Sequence, residues 1–316
     1  MRITIWTLWA TVALGILVVG PAQAQTPDNL DALRARALEL VNQSRSESNA
    51  EPLRHGALLD AAAQGHAEDM LARNYYAHRS PEGDTVQDRF LGEGGSQWEL
   101  VAENIAQCAG CGAIDIEQVR ALHNDWMNSP VHRQNILASG LARFGFGIVE
   151  DNGQLYAVQT FAGPGQPRGL EPGEAAKPVA LSAMTGVAME ALNSAREAEG
   201  VEPIEASAAL EEAARILVPK DLEGFDLDAV GSAYSAVPRH AQFSWSSLSI
   251  IAGACGGCGE RPTRADLESF MVQWLGEGSY RGTLLDPGFS AAGMVLRADS
   301  SGRKVALLVL GAVRLR

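Results

Sequence analysis

The sequence predicts an α+β fold that is present twice in tandem. In each half of the chain, apolar residues at helical spacing come first and strand-like alternation comes last. Short motifs of the first half also recur in the second half, in the same order and 147 to 151 residues later. Because helices remain to cover both faces of each sheet, we expect a three-layer αβα arrangement in each copy.

Several matched segments carry the repeat. Trp98 is matched by Trp245, and both halves end in a paired strand pattern. The longer matches are Asn42–Arg45 with Asn193–Arg196, Cys108–Cys111 with Cys255–Cys258, and Trp126–Arg133 with Trp274–Arg281. Several matches in one order predict a duplicated domain rather than a chance similarity.

The first 24 residues have the pattern of a secretory signal peptide. A basic start at Arg2 precedes an apolar run over 3–19, and Ala22-Gln23-Ala24 is a peptidase cleavage pattern. The alternative is a membrane anchor, since the apolar run is nearly long enough to span a bilayer. Cleavage predicts an exported protein, periplasmic or extracellular, with no membrane span left in the mature chain.

The rest of the chain divides into two domains and a linker. Residues 163–178 are rich in Pro and Gly and poor in apolar residues, which is typical of a linker. It separates a first domain over 25–162 from a degenerate copy over 179–316. The net charge of −13 argues against nucleic acid as a partner.

Four cysteines form two glycine-flanked pairs, and in an exported chain they predict disulfides. We expect one bond within each loop, Cys108–Cys111 and Cys255–Cys258. The alternatives are a cross-link between the loops or a metal ion bound by all four thiolates.

Three helices and a hairpin are expected in the first domain. The first helix contains Leu33 and Leu40 and begins after an Asp28 cap. The second covers 57–73 and the third covers 116–128. The period then changes, and Asp151-Asn152-Gly153 predicts a tight turn between strands over 144–150 and 154–161. The side chains predicted to face inward are Leu58, Ala62, Met70 and Leu71 in the second helix, and Ile116, Val119, Leu122 and Trp126 in the third.

Three segments of the first domain stand out by their polar residues. They are His78-Arg-Ser-Pro-Glu-Gly83, Ala102-Glu-Asn-Ile-Ala106 and Trp126-Met-Asn-Ser-Pro-Val-His-Arg-Gln-Asn-Ile-Leu137. On these motifs, residues 30–162 resemble the CAP superfamily of cysteine-rich secretory, antigen 5 and pathogenesis-related 1 proteins, and its bacterial branch in particular. The resemblance implies a three-layer αβα sandwich with a surface cleft lined by two histidines and acidic residues.

The same resemblance assigns the cleft residues. His78 and His132 correspond to the two histidines, and Glu103 corresponds to the first glutamate. Ser129 stands where many eukaryotic members have a second glutamate. Ser129, Tyr76 and His66 are candidates for the cleft rim, and His66 would reach it from the helix beneath.

The degenerate copy lacks these residues. Ile250 matches Glu103, Tyr280 matches His132, and no histidine occurs between Phe225 and Ala229, where a match for His78 is expected. We therefore expect no equivalent cleft in the second half.

Two imidazoles and a carboxylate form a common ligand set for zinc, and copper or nickel would compete for it. The same three groups could transfer protons. In the simpler interpretation, the histidines bond backbone carbonyls, while Glu103 caps a helix or pairs with Arg133. Asn104, Arg133 and Asn135 are expected to hold loops.

The leading hypothesis is a non-enzymatic binding module that holds a divalent metal ion or small ligand at His78, His132 and Glu103. Its partner would be a small ligand, a peptide or a component of the cell envelope. The first alternative is a hydrolase acting on peptide or cell-wall material, with the same three residues as catalytic groups. The second is lipid binding, which some eukaryotic relatives imply.

Overall fold

The structure is a computed structural model that describes residues 27–112, 114–170, 174–222 and 224–314. The predicted signal peptide, 1–24, lies outside the described residues. The described part contains two four-stranded mixed sheets, one in each half of the chain. Among its helices, none has the length and apolar character needed to cross a bilayer.

The two halves contain the same succession of helices and strands. The first half consists of α1 (Leu30–Glu47), β1 (Arg54–His55), α2 (Ala57–Arg73), α3 (Val86–Gly92), β2 (Leu100–Ala109), α4 (Ile116–Asn128), α5 (Pro130–Leu137), β3 (Arg143–Asp151) and β4 (Gln154–Gly163). The second half consists of α6 (Met184–Ala198), β5 (Glu205–Ala206), α7 (Ala208–Leu217), α8 (Ala233–Ala236), β6 (Trp245–Cys255), α9 (Arg264–Gly276), α10 (Gly278–Leu284), β7 (Ala291–Ala298) and β8 (Lys304–Val313).

Strand order and direction also agree between the sheets. The first sheet has the order β1-β3-β4-β2 and the second has the order β5-β7-β8-β6. In each sheet the short first strand runs parallel to its neighbour, and the other pairs are antiparallel. The α+β prediction is therefore confirmed for the first domain, and the second half has the same sheet topology.

Helices cover both faces of the first sheet. Phe144, Phe146 and Ile148 pack against α1, α4 and α5 in the main core. On the other face α2 lies directly on β3, because Gly145 and Gly147 carry no side chain there. A Cβ at either glycine would collide with the α2 backbone, at Leu59 and Gln64 respectively. The layers are thus α1/α4/α5, sheet and α2/α3.

The first strand, β1, is short and pairs with only two residues of β3. Beyond these residues, side chains form the hydrogen bonds to the β3 backbone that a longer strand would form. Phe146 N donates to Asp60 Oδ1 (2.8 Å), and Arg34 Nε donates to Phe146 O (3.1 Å). In the second half, the Thr185 side chain bonds the β7 backbone in the same way. Its hydroxyl accepts from Met294 N (3.1 Å) and donates to Met294 O (3.3 Å).

Two buried arginines make matching contacts in the two halves. Arg45 Nε donates to Glu51 O (2.6 Å), and its Nη1 donates to the carbonyls of Ile136 and Ala138 (2.7 and 3.1 Å). Arg196 repeats this pattern, with Nε bound to Glu202 O (2.7 Å) and Nη1 bound to the carbonyls of Leu284 and Asp286 (2.6 and 3.2 Å). Each arginine therefore ties the first helix of its half to the segment that follows the last helix.

The cysteine prediction is confirmed. The sulfur atoms of Cys108 and Cys111 lie at bonding distance, as do those of Cys255 and Cys258. The Cα atoms are 6.0 Å and 6.2 Å apart, within the usual range for a disulfide. Each bond closes its own loop.

The halves touch through the start of the predicted linker and the second cysteine loop. Gly257 N donates to Trp98 O (2.6 Å), and Gly259 N donates to Pro164 O (2.8 Å). The Arg303 guanidinium lies 4.3 Å from the centre of the Trp98 ring, in cation–π geometry. Trp98 of the first domain is thus a contact point for the second half.

Several local predictions agree with the structure. The helices over 57–73 and 116–128 have the predicted bounds. The hairpin turn consists of Asn152 and Gly153, with φ of 51° and 78°. Positive φ at both central residues is the geometry that a two-residue turn of type I′ needs.

Other local predictions are wrong. The cap of α1 is Asn29 rather than Asp28. Leu58 is 38% exposed and Leu59 is buried in its place, since the buried stripe of α2 follows Leu59, Ala63, Ala67 and Met70. Ile116, in the first turn of α4, is also exposed.

His123 is a buried histidine in the interface between α1 and α4. It is 4% exposed, and its Nε2 lies 2.9 Å from Ser44 Oγ. Burial lowers its pKa from 6.5 to about 4, and the nearby positive charge of Arg36 acts in the same direction. The folded protein therefore keeps this imidazole neutral well below the pH at which the unfolded chain protonates it.

This shift predicts a pH-dependent loss of stability. Above about pH 6.5 His123 is neutral in both states and contributes nothing; as the pH falls toward about 4, the unfolded chain takes up a proton that the folded state excludes. The free energy of unfolding should fall by on the order of 3 kcal/mol over this range. Urea titrations of the wild type and of His123→Met measure this, because the variant lacks the titrating group. If the two proteins lose stability in parallel, His123 is not the cause.

Candidate functional site

Three elements bring the predicted cleft residues together. Glu103 lies in the middle of β2, His132 lies in the first turn of α5, and His78 lies in the loop between α2 and α3. Asn135 Nδ2 donates to Asn104 Oδ1 (2.9 Å) and to Glu103 O (3.0 Å). Asn104 Nδ2 in turn donates to His132 O (3.2 Å). These bonds fix α5 on β2, so Asn104 and Asn135 have the structural part expected of them.

The Glu103 carboxylate is buried and bonded at both oxygens. It is 6% exposed, although it carries a charge. Its Oε1 lies 2.8 Å from His78 Nδ1, and its Oε2 accepts from Arg89 Nη2 at 2.7 Å. The same guanidinium nitrogen donates to His78 O (3.1 Å). Arg89 therefore neutralises the carboxylate and also holds the backbone of the histidine beside it.

This contact determines which nitrogen of His78 is available. An ionised carboxylate only accepts hydrogen bonds, so the proton shared with Glu103 belongs to Nδ1 of His78. In the neutral ring the Nε2 lone pair is then free to bind a ligand or a proton. The His78 side chain is 57% exposed, which leaves it accessible to solvent.

His132 is the second imidazole of the site. Burial lowers its pKa, and the positive charge of a protonated His78 would lower it further. His132 lines an open pocket of about 510 Å³, and the predicted rim residues Tyr76 and Ser129 line it as well.

One backbone carbonyl organises the wall of this pocket. Tyr76 Oη and Trp126 Nε1 both donate to Ile105 O, each at 3.0 Å. Ile105 follows Glu103 by two residues in β2, so the strand that holds the carboxylate also positions the pocket wall.

His66 lies beneath the carboxylate and not on the rim. It is fully buried, and its Nε2 is 3.9 Å from Glu103 Oε1. Nε2 donates to Ala77 O (3.0 Å), and burial lowers the pKa of the ring. His66 is thus a packed, neutral histidine under Glu103, because α2 directs it toward the sheet.

The simpler interpretation of Glu103, as a helix cap or a partner of Arg133, is wrong. Glu103 lies in a strand, so it caps no helix, and its cation is Arg89 rather than Arg133. Neither α3 nor the role of Arg89 was predicted from the sequence. The available signal was a capping box at the start of α3, in which Thr85 and Asp88 each bond the other's backbone.

Within the described ranges, His, Cys, Asp and Glu side chains form no group of three or more arranged to hold a metal ion. With both oxygens engaged, Glu103 does not fit the part of a direct third ligand. Metal binding by His78, His132 and Glu103 stays a prediction.

The second half has different side chains at the matching positions. Ile250 pairs with Val309 across the second sheet, as Glu103 pairs with Thr160 across the first. Tyr280 lies in the first turn of α10, as His132 lies in the first turn of α5. The register of the strands therefore places an apolar residue where the first half has its carboxylate.

Residues 38–161 match the sequence model of CAP, the cysteine-rich secretory protein family. The chain is 31% identical over 133 residues to "Uncharacterized protein YkwD" of Bacillus subtilis (strain 168), which is 42% of this chain and 48% of that protein. It is 32% identical over 111 residues to "Uncharacterized membrane protein YlbC" of the same strain, which is 35% of this chain and 30% of that protein. The chain thus spans less than half the length of these curated relatives.

Among solved structures, an extracellular protein containing a SCP domain from Bacillus anthracis str. Ames is 30% identical, with 43% of each chain covered and a TM-score of 0.35. The family match contains Glu103, His78 and His132 together with the strands and helices that hold them. The similarity to the CAP family therefore covers the part of the chain that holds the candidate site.

Proposed function

We propose that the protein is an exported binding module that holds a divalent metal ion, zinc foremost, or a small ligand between His78 and His132. The observation that carries the proposal is the 2.8 Å contact between His78 Nδ1 and Glu103 Oε1. It directs Nε2 of His78 away from the protein's own carboxylate and toward solvent.

This arrangement has the chemistry of a metal-binding histidine with its outer partner. Histidines that bind metals usually donate their other ring nitrogen to a carboxylate, which fixes the ring and raises its basicity. Glu103 has that position relative to His78, and Arg89 balances its charge. His78 and His132 would be the protein's ligands, and Glu103 would orient one of them.

Hydrolysis has less support at this site. A general base needs a carboxylate or imidazole that is free to take a proton from the attacking group. Nε2 of His78 is free to do so, but both oxygens of Glu103 already accept hydrogen bonds and Ser129 stands where a second acid would be needed, so the two carboxylates of an acid–base pair are missing. We therefore prefer binding to catalysis.

We also propose that the second half arose by duplication and lost the site. The matching sheet topologies and the equivalent contacts of Arg45 and Arg196 support this. Ile250 and Tyr280 at the positions of Glu103 and His132 indicate that the framework was kept while the cleft was not. Its contact with Trp98 suits a scaffold for the first domain.

Export is tested by the N-terminus of the protein recovered from its host. Intact-mass analysis should give a chain that begins at Gln25, because the Ala22-Gln23-Ala24 pattern directs cleavage after Ala24. Recovery of a chain that retains residues 1–24, from membranes, would favour the anchor instead.

The metal proposal predicts one zinc ion per chain in a calorimetric titration of the mature protein. His78→Ala and His132→Ala should each weaken zinc binding by more than about 100-fold, since they remove direct ligands. Glu103→Gln should weaken it by about 10- to 100-fold, as loss of an outer partner does. The matched control is His240→Ala, which removes an exposed histidine from the second half and should leave the affinity unchanged.

Equal zinc affinity in the wild type, His78→Ala and His132→Ala would show that neither histidine binds the metal, and would contradict the proposed site. Stoichiometric binding that persists in the His78→Ala/His132→Ala double variant would place the metal elsewhere and contradict the proposed ligands. Thermal unfolding of each variant distinguishes a lost ligand from a lost fold.

A further inference from the structure

A second polar pocket lies between α1 and α4, apart from the cleft. It has a volume of about 450 Å³ and is open to solvent. Its polar lining consists chiefly of Arg36, Gln43, Ser44, Glu47, Arg120 and His123. Neither His78 nor His132 lines it, so the proposal below does not rest on the proposed function.

Two residues that line this pocket each have a buried side-chain nitrogen without a partner. His123 Nε2 lies 2.9 Å from Ser44 Oγ, but His123 Nδ1 is buried and unbonded. Arg36 Nε is also buried and unbonded, while Arg36 Nη1 donates to Glu39 Oε2 (2.6 Å). Both statements hold for contacts among the residues that the structure describes. Buried polar atoms are bonded in the great majority of cases, so two in one pocket require an explanation.

The chemistry of the two atoms defines what would satisfy them. Arg36 Nε can only donate a hydrogen bond, since a guanidinium has no acceptor. An acceptor that enters beside it also favours the His123 tautomer with its proton on Nδ1. In that tautomer His123 Nε2 accepts from the Ser44 hydroxyl, so both ring nitrogens of His123 have a hydrogen-bond partner.

The charges of the pocket select the same class of ligand. Arg36 and Arg120 bring two permanent positive charges to the lining, and each is paired with an exposed glutamate, Glu39 and Glu117 respectively. Glu47 brings one negative charge, whose Oε1 already accepts from Gln43 Nε2 (3.0 Å). Arg36 Nε is a charged donor that the pair with Glu39 leaves unused, so an anionic oxygen is favoured there over a neutral acceptor.

We propose that the pocket between α1 and α4 binds a small oxyanion, a carboxylate or phosphate group, through Arg36 Nε and His123 Nδ1. Leu40 and Met127 are the only large apolar side chains among its described lining residues, so the ligand is polar and compact.

The second half supplies a comparison within the same chain. At the repeat spacing, Val187 matches Arg36, Ala195 matches Ser44 and Met271 matches His123. Val187 and Met271 are buried members of the second core, between the equivalent helices α6 and α9. Apolar packing there needs no ligand, and the polar set of the first half is consequently not a requirement of the fold.

The test follows the histidine ring signals of the mature protein by NMR during titration with inorganic phosphate and, separately, with acetate. Sodium chloride at matched ionic strength is the control. His123 is assigned by its loss in His123→Met. We expect a saturable shift of His123 with one or both anions, and no such shift with chloride. A response to phosphate alone, to acetate alone or to both supports the proposal and identifies the preferred group.

Arg36→Val, which introduces the residue of the second half, should weaken anion binding by about tenfold or more, equivalent to about 1.4 kcal/mol. Arg239→Val makes the same charge change at an exposed site of the second half and should have no effect. The proposal is overturned if His123 does not respond to either anion, if chloride moves it equally, or if Arg36→Val binds as tightly as the wild type.

Discussion

The buried charge of Glu103 constrains the whole arrangement of the first domain's cleft. A carboxylate at this depth is tolerated only if positive or donating groups reach it, because an unpaired buried charge is strongly destabilising. Arg89 and His78 supply those groups from a short helix and a loop that follow α2. Glu103 thus links α3, the loop that holds His78 and the imidazole ring in one set of contacts.

A framework common to both halves supports this arrangement. Arg45 and Arg196 make matching hydrogen bonds that join distant segments of their own halves. The two sheets also have the same strand order. Where the first half has Glu103 and His123, the second has Ile250 and Met271. Residues that match in both halves, such as Arg45 and Arg196, support the fold. Glu103 and His123 occur in the first half only, so the fold does not require them.

Much of the fold was predictable because it depends on local patterns. The helix over 57–73 and the Asn152-Gly153 turn follow from spacing and from the backbone preference for positive φ. The motifs also pointed to His78 and Glu103, whose side chains are in contact. Arg89 was not predictable in this way, because its contact with Glu103 depends on how α3 docks on the sheet. Likewise, β2 is buried at the three successive residues Glu103 to Ile105 and partly or fully exposed at the others, so it has no clean alternation to recognise.

The central claim is that Glu103 fixes the tautomer of His78. The most direct test is the ¹⁵N chemical shifts of the His78 ring in the metal-free mature protein at about pH 8, where an ordinary imidazole is neutral. We expect a protonated Nδ1 and an unprotonated Nε2 in the wild type, with this preference reduced in Glu103→Gln. A proton on Nε2 in the wild type, or a tautomer indifferent to Glu103→Gln, would contradict the account.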